Sequence, residues 1–236
     1  SIQLSGANGQ RKAALEAALN TIRRLESYFS IYDPTSLLSR LNHDGKLGMP
    51  PEFARLMKQV ARVHTITKGL FDPTVQPLFA AFLANGGKLT STERQRLAQS
   101  VGWGRVDIRN SDIQFTAPGM ALTLNGIAQG FTTDRVSEVL EAHGFMSTHI
   151  NIGEYRANNS TMELRVADEA GSPITALQIQ NGAVATSEVS GYTFPNGVSH
   201  ILRPDGSEQV GRWKSASVYA DTATMADGFS TALILS

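Results

Sequence analysis

Cysteine is absent from the 236 residues, which excludes disulfides, zinc-thiolate and iron-sulfur sites and a cysteine nucleophile. Any metal must therefore sit on oxygen or imidazole ligands. Charge of one sign is also lacking: 21 Lys plus Arg balance 21 Asp plus Glu, and no basic run occurs. A nucleic-acid partner is not expected, because a protein that neutralises many phosphates needs a basic patch to do so. No apolar run approaches the roughly 18 residues that span a bilayer. The opening Ser1-Ile2-Gln3 is not the positively charged start of a signal peptide. The chain starts without Met and stops within the apolar stretch Thr231–Ser236, so trimming at both ends is expected, and a removed signal or anchor stays open.

What is present reads as a globular α+β domain spanning 1–236. Leu15, Ala18, Leu19, Ile22, Leu25 and Phe29 fall at helical spacing between Arg11 and Phe29. Phe53, Leu56, Met57, Val60 and Val63 form a second helical stripe between Glu52 and Lys68, with Gly69 as its stop. Thr90 and Glu93 have capping-box spacing for a helix running to Ser100. A strand over Met120–Leu124 leads through Asn125-Gly126 into a helix closed by Gly144. After Gly144 the pattern turns to short alternating strands at 149–152, 164–166, 176–179, 183–185, 191–194 and 217–220. Asn181-Gly182 and Asn196-Gly197 supply hairpin turns. A last helix begins near Thr224. Helices early and strands late, without strict alternation, favour α+β over a doubly wound parallel sheet.

Several constellations carry chemistry. Asp227 and Thr231 lie four residues apart, so on a helix they present a carboxylate and a hydroxyl to one point. Hard oxygen ligands of that kind suit Mg²⁺ or Ca²⁺; the plainer alternative is that Asp227 complements a helix dipole and Thr231 packs. Leu124-Asn-Gly-Ile-Ala-Gln-Gly130 passes through a glycine turn into a helix start, where backbone amides face an anion, or where glycine serves only the turn. It is neither a Walker loop nor a dinucleotide fingerprint. In Gly69-Leu-Phe-Asp-Pro-Thr-Val75, Asp72 either accepts from a ligand or closes a turn on its own backbone. Tyr32, beside Asp33-Pro34 and Ser36-Leu-Leu-Ser-Arg-Leu-Asn42, is a stacking platform or a core residue. His200 follows a hairpin and precedes Ile201-Leu-Arg-Pro204, a context that would hold a general base. His43, His64, His143 and His149 need no function, and no His-Glu-x-x-His spacing occurs.

Taken together and in this order, these segments resemble the ApbE family of FAD:protein FMN transferases. The carriers are Tyr32 with Ser36–Asn42, Gly69–Val75, Leu124–Asp134, Ala185-Thr-Ser187, His200–Pro204 and Ala226-Asp-Gly-Phe-Ser-Thr-Ala232. The resemblance implies a T-fold type α+β domain in an exported, periplasmic bacterial protein that binds FAD and Mg²⁺. It implies cleavage of the FAD diphosphate, release of AMP, and attachment of FMN through a phosphoester to a Thr or Ser of an acceptor flavoprotein. By this likeness Asp227 and Thr231 bind metal through side chains, and Gly126 and Ser230 through carbonyls. Tyr32 stacks on flavin; Leu70, Phe71, Asp72, Thr123, Gln129, Ile201 and Leu202 contact FAD; His200 is the base. FAD pyrophosphatase activity, or flavin binding without turnover, is the alternative.

The chain departs from the family pattern at three places. Arg203 stands where His-x-x-Asp-Pro has its carboxylate, with Asp205 as a candidate substitute; Thr123 replaces an Asp; Gln129 replaces a Lys or Glu. Gly126–Phe131 with Asn151-Ile-Gly-Glu-Tyr-Arg156 is most similar to the NosX branch, which implies a membrane-bound NosR-like acceptor and a role in nitrous oxide reductase maturation.

Overall fold

In the computed structural model, residues 1–4, 8–167, 172–208 and 212–236 are described. The elements run in the order β1 (Ile2–Leu4), α1 (Asn8–Phe29), α2 (Leu37–Asp44), β2 (Lys46–Gly48), α3 (Pro51–Ile66), α4 (Gln76–Ala84), α5 (Ser91–Ala98), β3 (Val106–Arg109) and β4 (Asp112–Phe115). They continue through α6 (Ala128–Ala142), β5 (Thr148–Asn151), β6 (Tyr155–Ala167), β7 (Pro173–Glu188), β8 (Ser215–Ala220) and α7 (Ala223–Ile234). One antiparallel sheet has the order β1-β5-β6-β7-β8 and a smaller one β2-β4-β3. The mixed helix and sheet architecture matches the reading of the chain.

The stripe of α3 and the end of the α1 stripe meet in one core, while Ala18 and Ile22 pack in a second cluster and Leu15 and Leu19 stay exposed. Leu25 and Phe29 of α1, Leu38 and Leu41 of α2, and Phe53, Leu56, Met57, Val60 and Val63 of α3 are all buried in the first core with Leu122, Leu124, Ile127 and Phe131. The ring of Phe29 lies 5.5 Å from Phe53 and 5.8 Å from Phe131. Thr90 and Glu93 close the capping box on α5 as their spacing predicts. Ser36 caps α2 by accepting from the Ser39 amide.

Three expectations are corrected. Met120–Leu124 is extended but pairs with no strand; the side chain of Asn42 takes both backbone groups of Leu122, donating to its carbonyl at 2.8 Å and accepting from its amide at 2.7 Å. A side-chain amide thus replaces a neighbouring strand. Asn181-Gly182 is no turn, because 176–179 and 183–185 belong to the single strand β7. Asn181 has φ +53° there, and its side chain accepts from the Asn159 amide at 2.6 Å beside a register shift in β6. Residues 191–194 form no strand; the isolated bridge between Thr193 and Ser199 spans the predicted turn at Asn196-Gly197 instead.

What fixes the site is the crossing of α6 and α7. A Cβ on Gly130 would lie 2.2 Å from the Ala223 carbonyl oxygen and 2.8 Å from Asp227 Cβ, so only glycine permits this approach. The Gly130 amide then donates to Asp227 Oδ2 at 2.9 Å. One turn further along α6, the Asp134 carboxylate caps the start of α7, accepting from the amides of Ala223 and Thr224 and from the Thr224 hydroxyl, and pairs with Arg156 at 2.7 Å.

Replacing Asn42 with Ala leaves the Leu122 amide and carbonyl buried without partners. Chemical denaturation should show the variant destabilised by about 2–3 kcal/mol, with the denaturant slope unchanged.

Candidate functional site

A cavity of about 380 Å³ opens beside the α6–α7 crossing. Its apolar wall is built by Leu70, Phe71, Val75, Phe79, Ile201 and Leu202, and its polar end by Thr123, Asn125, Gly126, Gln129, Glu154, Ser187, His200, Asp227 and Thr231. Among the described residues no Lys or Arg lines it, while Asp72, Glu154, Glu188 and Asp227 do. The volume and the division into apolar wall and convergent polar groups are those of a small-molecule site.

The polar end is assembled from distant stretches. Thr231 Oγ1 lies 3.4 Å from the Gly126 carbonyl oxygen and 3.3 Å from Ser187 Oγ. A Cβ on Gly126 would come within 2.9 Å of Thr231 Oγ1, so the glycine of the turn makes room for the hydroxyl. Ser187 Oγ also meets Ser230 Oγ at 2.8 Å, and Ser230 donates to the Asp227 carbonyl at 2.9 Å. Ser230 is 1% exposed and lies behind the cavity, bracing α7 against β7.

Electrostatics set this end apart. Burial pushes the Asp227 carboxyl well above the usual carboxylate range, and Glu154 adds to this; the Gly130 amide opposes it, and Asp134 raises it further. Burial likewise raises Glu154 to about 7, against a hydrogen bond from the Thr186 amide. No cation among the described side chains lines the cavity to balance these two acids. One Asp227 oxygen is taken by Gly130, which leaves the other, with Thr231 Oγ1 and the Gly126 carbonyl, as an all-oxygen donor set facing the cavity. That set fits a hard divalent cation. Among the described residues no cluster of three His, Cys, Asp or Glu has metal-binding geometry, so such an ion would rely on hydroxyl, carbonyl and water oxygens beside its carboxylate.

His200, half-buried, also lines the cavity. Its Nδ1 lies 2.7 Å from the Tyr192 carbonyl oxygen; a carbonyl only accepts, so Nδ1 carries the proton and Nε2 keeps its lone pair. Burial lowers its pKa from 6.5, with the Tyr192 contact acting the other way. The ring is therefore neutral at pH 7, as a general base requires.

The remaining predicted residues divide. Leu70, Phe71, Thr123, Gln129, Ile201 and Leu202 line the cavity. Gln129 donates to the Ile152 carbonyl at 3.1 Å and packs so closely on Gly153 that a Cβ there would lie 1.4 Å from its amide nitrogen. It thereby braces the turn that presents Glu154. Asp72 borders the cavity, but its carboxylate is occupied by the Thr74 amide and hydroxyl and the Trp103 amide, the turn-forming alternative. Tyr32 is 71% exposed and sits outside the lining, at the rim, where its hydroxyl meets Asn125 Nδ2 at 3.4 Å. Arg203 donates to the Leu235 carbonyl at the end of α7, and Asp205 accepts from Ser207 and faces Arg203 at 3.6 Å. Asp205 lines no part of the cavity, so the expected substitution fails: a backbone carbonyl, not a carboxylate, orients His200. Glu154, Ser187 and Tyr192 were given no role by the sequence. Only the glycine turn before Glu154 hinted at a presented acid.

A family model described as the ApbE family matches residues 1–236. An FAD:protein FMN transferase of Haemophilus influenzae is 25% identical over 244 residues, covering 91% of this chain and 70% of that protein. The crystal structure of the ApbE protein from Thermotoga maritima superposes with a TM-score of 0.87 at 25% identity, over 99% of this chain and 81% of that one. The apo flavinyl transferase ApbE of Pseudomonas stutzeri gives 0.86 at 19% identity, over 100% and 84%; that likeness is one of fold.

The raised carboxyls make the metal-free protein pH-sensitive. Glu154 holds its proton to about pH 7 when folded but releases it near 4.5 when unfolded, so its contribution to stability falls as pH rises between those values. Glu154→Gln removes that loss: with EDTA present its melting temperature should exceed wild type by about 5 °C at pH 8 and by little at pH 4.5, read by thermal unfolding.

Proposed function

The chain belongs to the ApbE family, and from that premise we propose that it is a Mg²⁺-dependent FAD:protein FMN transferase. The reading is supported above all by one arrangement: the oxygen donors of Asp227, Thr231 and Gly126 and the neutral His200 line one cavity, which has an apolar wall and, among the described residues, no basic side chain. A flavin ring suits the wall of Leu70, Phe71 and Phe79, with Tyr32 at the rim. A diphosphate suits the oxygen-rich end only with a cation present, because Asp227 and Glu154 would otherwise repel it.

A divalent ion bound there would neutralise charge on the phosphate oxygens, which is most of what phosphoryl transfer asks of its catalyst. Asp227, Thr231 and the Gly126 carbonyl hold it. The apolar wall excludes water and fixes the ring end of FAD. His200 Nε2 takes the proton from a Thr or Ser hydroxyl of the acceptor; that oxygen bonds to the FMN phosphorus as the bond to AMP breaks, and AMP leaves. Tyr192, accepting from Nδ1, keeps the proton-accepting nitrogen turned to the cavity. The orientation needs no carboxylate, so Arg203 is compatible with turnover.

The wider setting follows from the same family membership. The protein acts outside the cytoplasm, in the periplasm, and its acceptor is a flavoprotein with an exposed target Thr or Ser. The NosX-like segments point to a membrane-bound NosR-like acceptor in nitrous oxide reductase maturation.

Incubation with FAD, Mg²⁺ and an acceptor should yield a fluorescent covalent adduct whose mass exceeds the acceptor's by one FMN. AMP release without adduct would make the protein a pyrophosphatase, and intact FAD after long incubation a binding module. Asp227→Ala should abolish metal-dependent turnover while the protein folds; retained activity would remove the proposed metal site. His200→Ala should slow transfer by about 10²- to 10⁴-fold with FAD affinity little changed. The acid limb of the wild-type pH–rate profile should fall below pH 6.5, since protonation of a base whose pKa is lowered requires more acid.

A further inference from the structure

His200 lies in a segment that no strand ladder supports. Between β7 and Ile201 the backbone bonds are scattered: the Val189 amide donates to Lys214 and the Gly191 amide to Glu188, Thr193 bridges Ser199, and in the turn the Phe194 amide donates to Val198 and the Gly197 amide to Phe194, both at 2.8 Å. Both the His200 amide, at 3.1 Å, and its ring Nδ1 depend on a single acceptor, the Tyr192 carbonyl. Tyr192 is 45% exposed, so its own burial does not hold that carbonyl in place.

The anchor is Phe194, 1% exposed in a loop whose Thr193, Pro195, Asn196, Gly197 and Val198 are all exposed. Its ring stacks on Phe82 of α4 at 5.3 Å and 19°, lies 5.6 Å from Phe79, and meets Tyr192 edge-on at 5.7 Å. Tyr192 in turn meets His200 edge-on at 6.0 Å. A polar tether reinforces the contact: Asn196 Nδ2 donates to the Gly87 carbonyl just past α4. A Cβ on Gly87, which has φ +86°, would lie 2.1 Å from Asn196 Oδ1 and 2.7 Å from Phe194 Cβ, so the turn after α4 is shaped to receive this loop.

We infer that Phe194, seated on Phe82 and reaching His200 through Tyr192, is a positioning residue that holds the general base over the cavity. The inference rests on the transferase reading for its rate effect alone. Phe194 is not itself part of the cavity lining; it packs on Phe79 and Tyr192, which are, and its path to the base runs through Tyr192. A displacement of about 1 Å at a reacting group lowers rates by about 10²-fold.

The test compares wild type with Phe194→Ala, Phe194→Leu and Asn196→Ala. Three readouts are needed: the FMN transfer rate at saturating FAD, the FAD dissociation constant from flavin fluorescence, and amide hydrogen exchange. Phe194→Ala should slow transfer about 10²-fold while FAD affinity stays within about threefold; Phe194→Leu, which keeps bulk in the pocket, should recover most of the rate. Exchange should accelerate at Phe194, Gly197 and His200 with β7 and α7 still protected. Asn196→Ala, which leaves the aromatic cluster intact, should show the same pattern more weakly even if Phe194→Ala does not fold. Equal losses of rate and FAD affinity, unchanged rates, or deprotection spreading into β7 and α7 would overturn the inference. If the wild type forms no adduct, the transferase reading fails, and the exchange pattern still decides whether Phe194 holds the histidine.

Discussion

A single amide-to-carboxylate contact, from Gly130 to Asp227 Oδ2, organises this molecule. It forms because Gly130 lacks the Cβ that would strike the Ala223 carbonyl, so two helices cross close enough for the start of one to reach a side chain of the other. The Asp134 carboxylate locks the same crossing from the other side by capping α7. Asp227 is thereby fixed in direction and stripped of water. A carboxylate so placed is costly unless a cation or a proton joins it, and its surroundings supply another acid, Glu154, instead of a base. The stress on this pair is the physical ground on which a divalent ion is proposed there.

The histidine of the same cavity follows a different principle. His200 has no acidic partner; a backbone carbonyl selects its tautomer and burial keeps it neutral. A histidine oriented by a carboxylate would gain basicity from it, whereas one oriented by a carbonyl keeps a modest pKa and an open Nε2 near neutral pH. Arg203, which stands where the family pattern has an acid, has moved to other work and binds the end of α7 through the Leu235 carbonyl. Arg203 does not deprive His200 of its orientation, because the Tyr192 carbonyl supplies it.

Legibility in the sequence tracked the range of the interactions. The stripes of α1 and α3, the capping box at Thr90, the turn at Asn196-Gly197 and the shared face of Asp227 and Thr231 were all readable, since each depends on residues within a few positions. Where a distant group decided the outcome, local reading failed. Leu122 pairs with the Asn42 side chain and not with a strand, and Asn181 serves a register shift and not a turn.

By itself the sequence determined the α+β class, the chemistry available without cysteine, the ordered motifs of the ApbE family and the pairing of a carboxylate with a hydroxyl one helical turn away. These depend on composition and on spacing along one chain, which a sequence states directly. Only the tertiary structure decided that Gly126, Glu154, Ser187 and His200 converge on that pair, that Tyr32 stands at the rim, and that Asp205 lies elsewhere. Burial, desolvation and the choice of a histidine tautomer arise from groups far apart in the chain, and no local pattern encodes the distance between them.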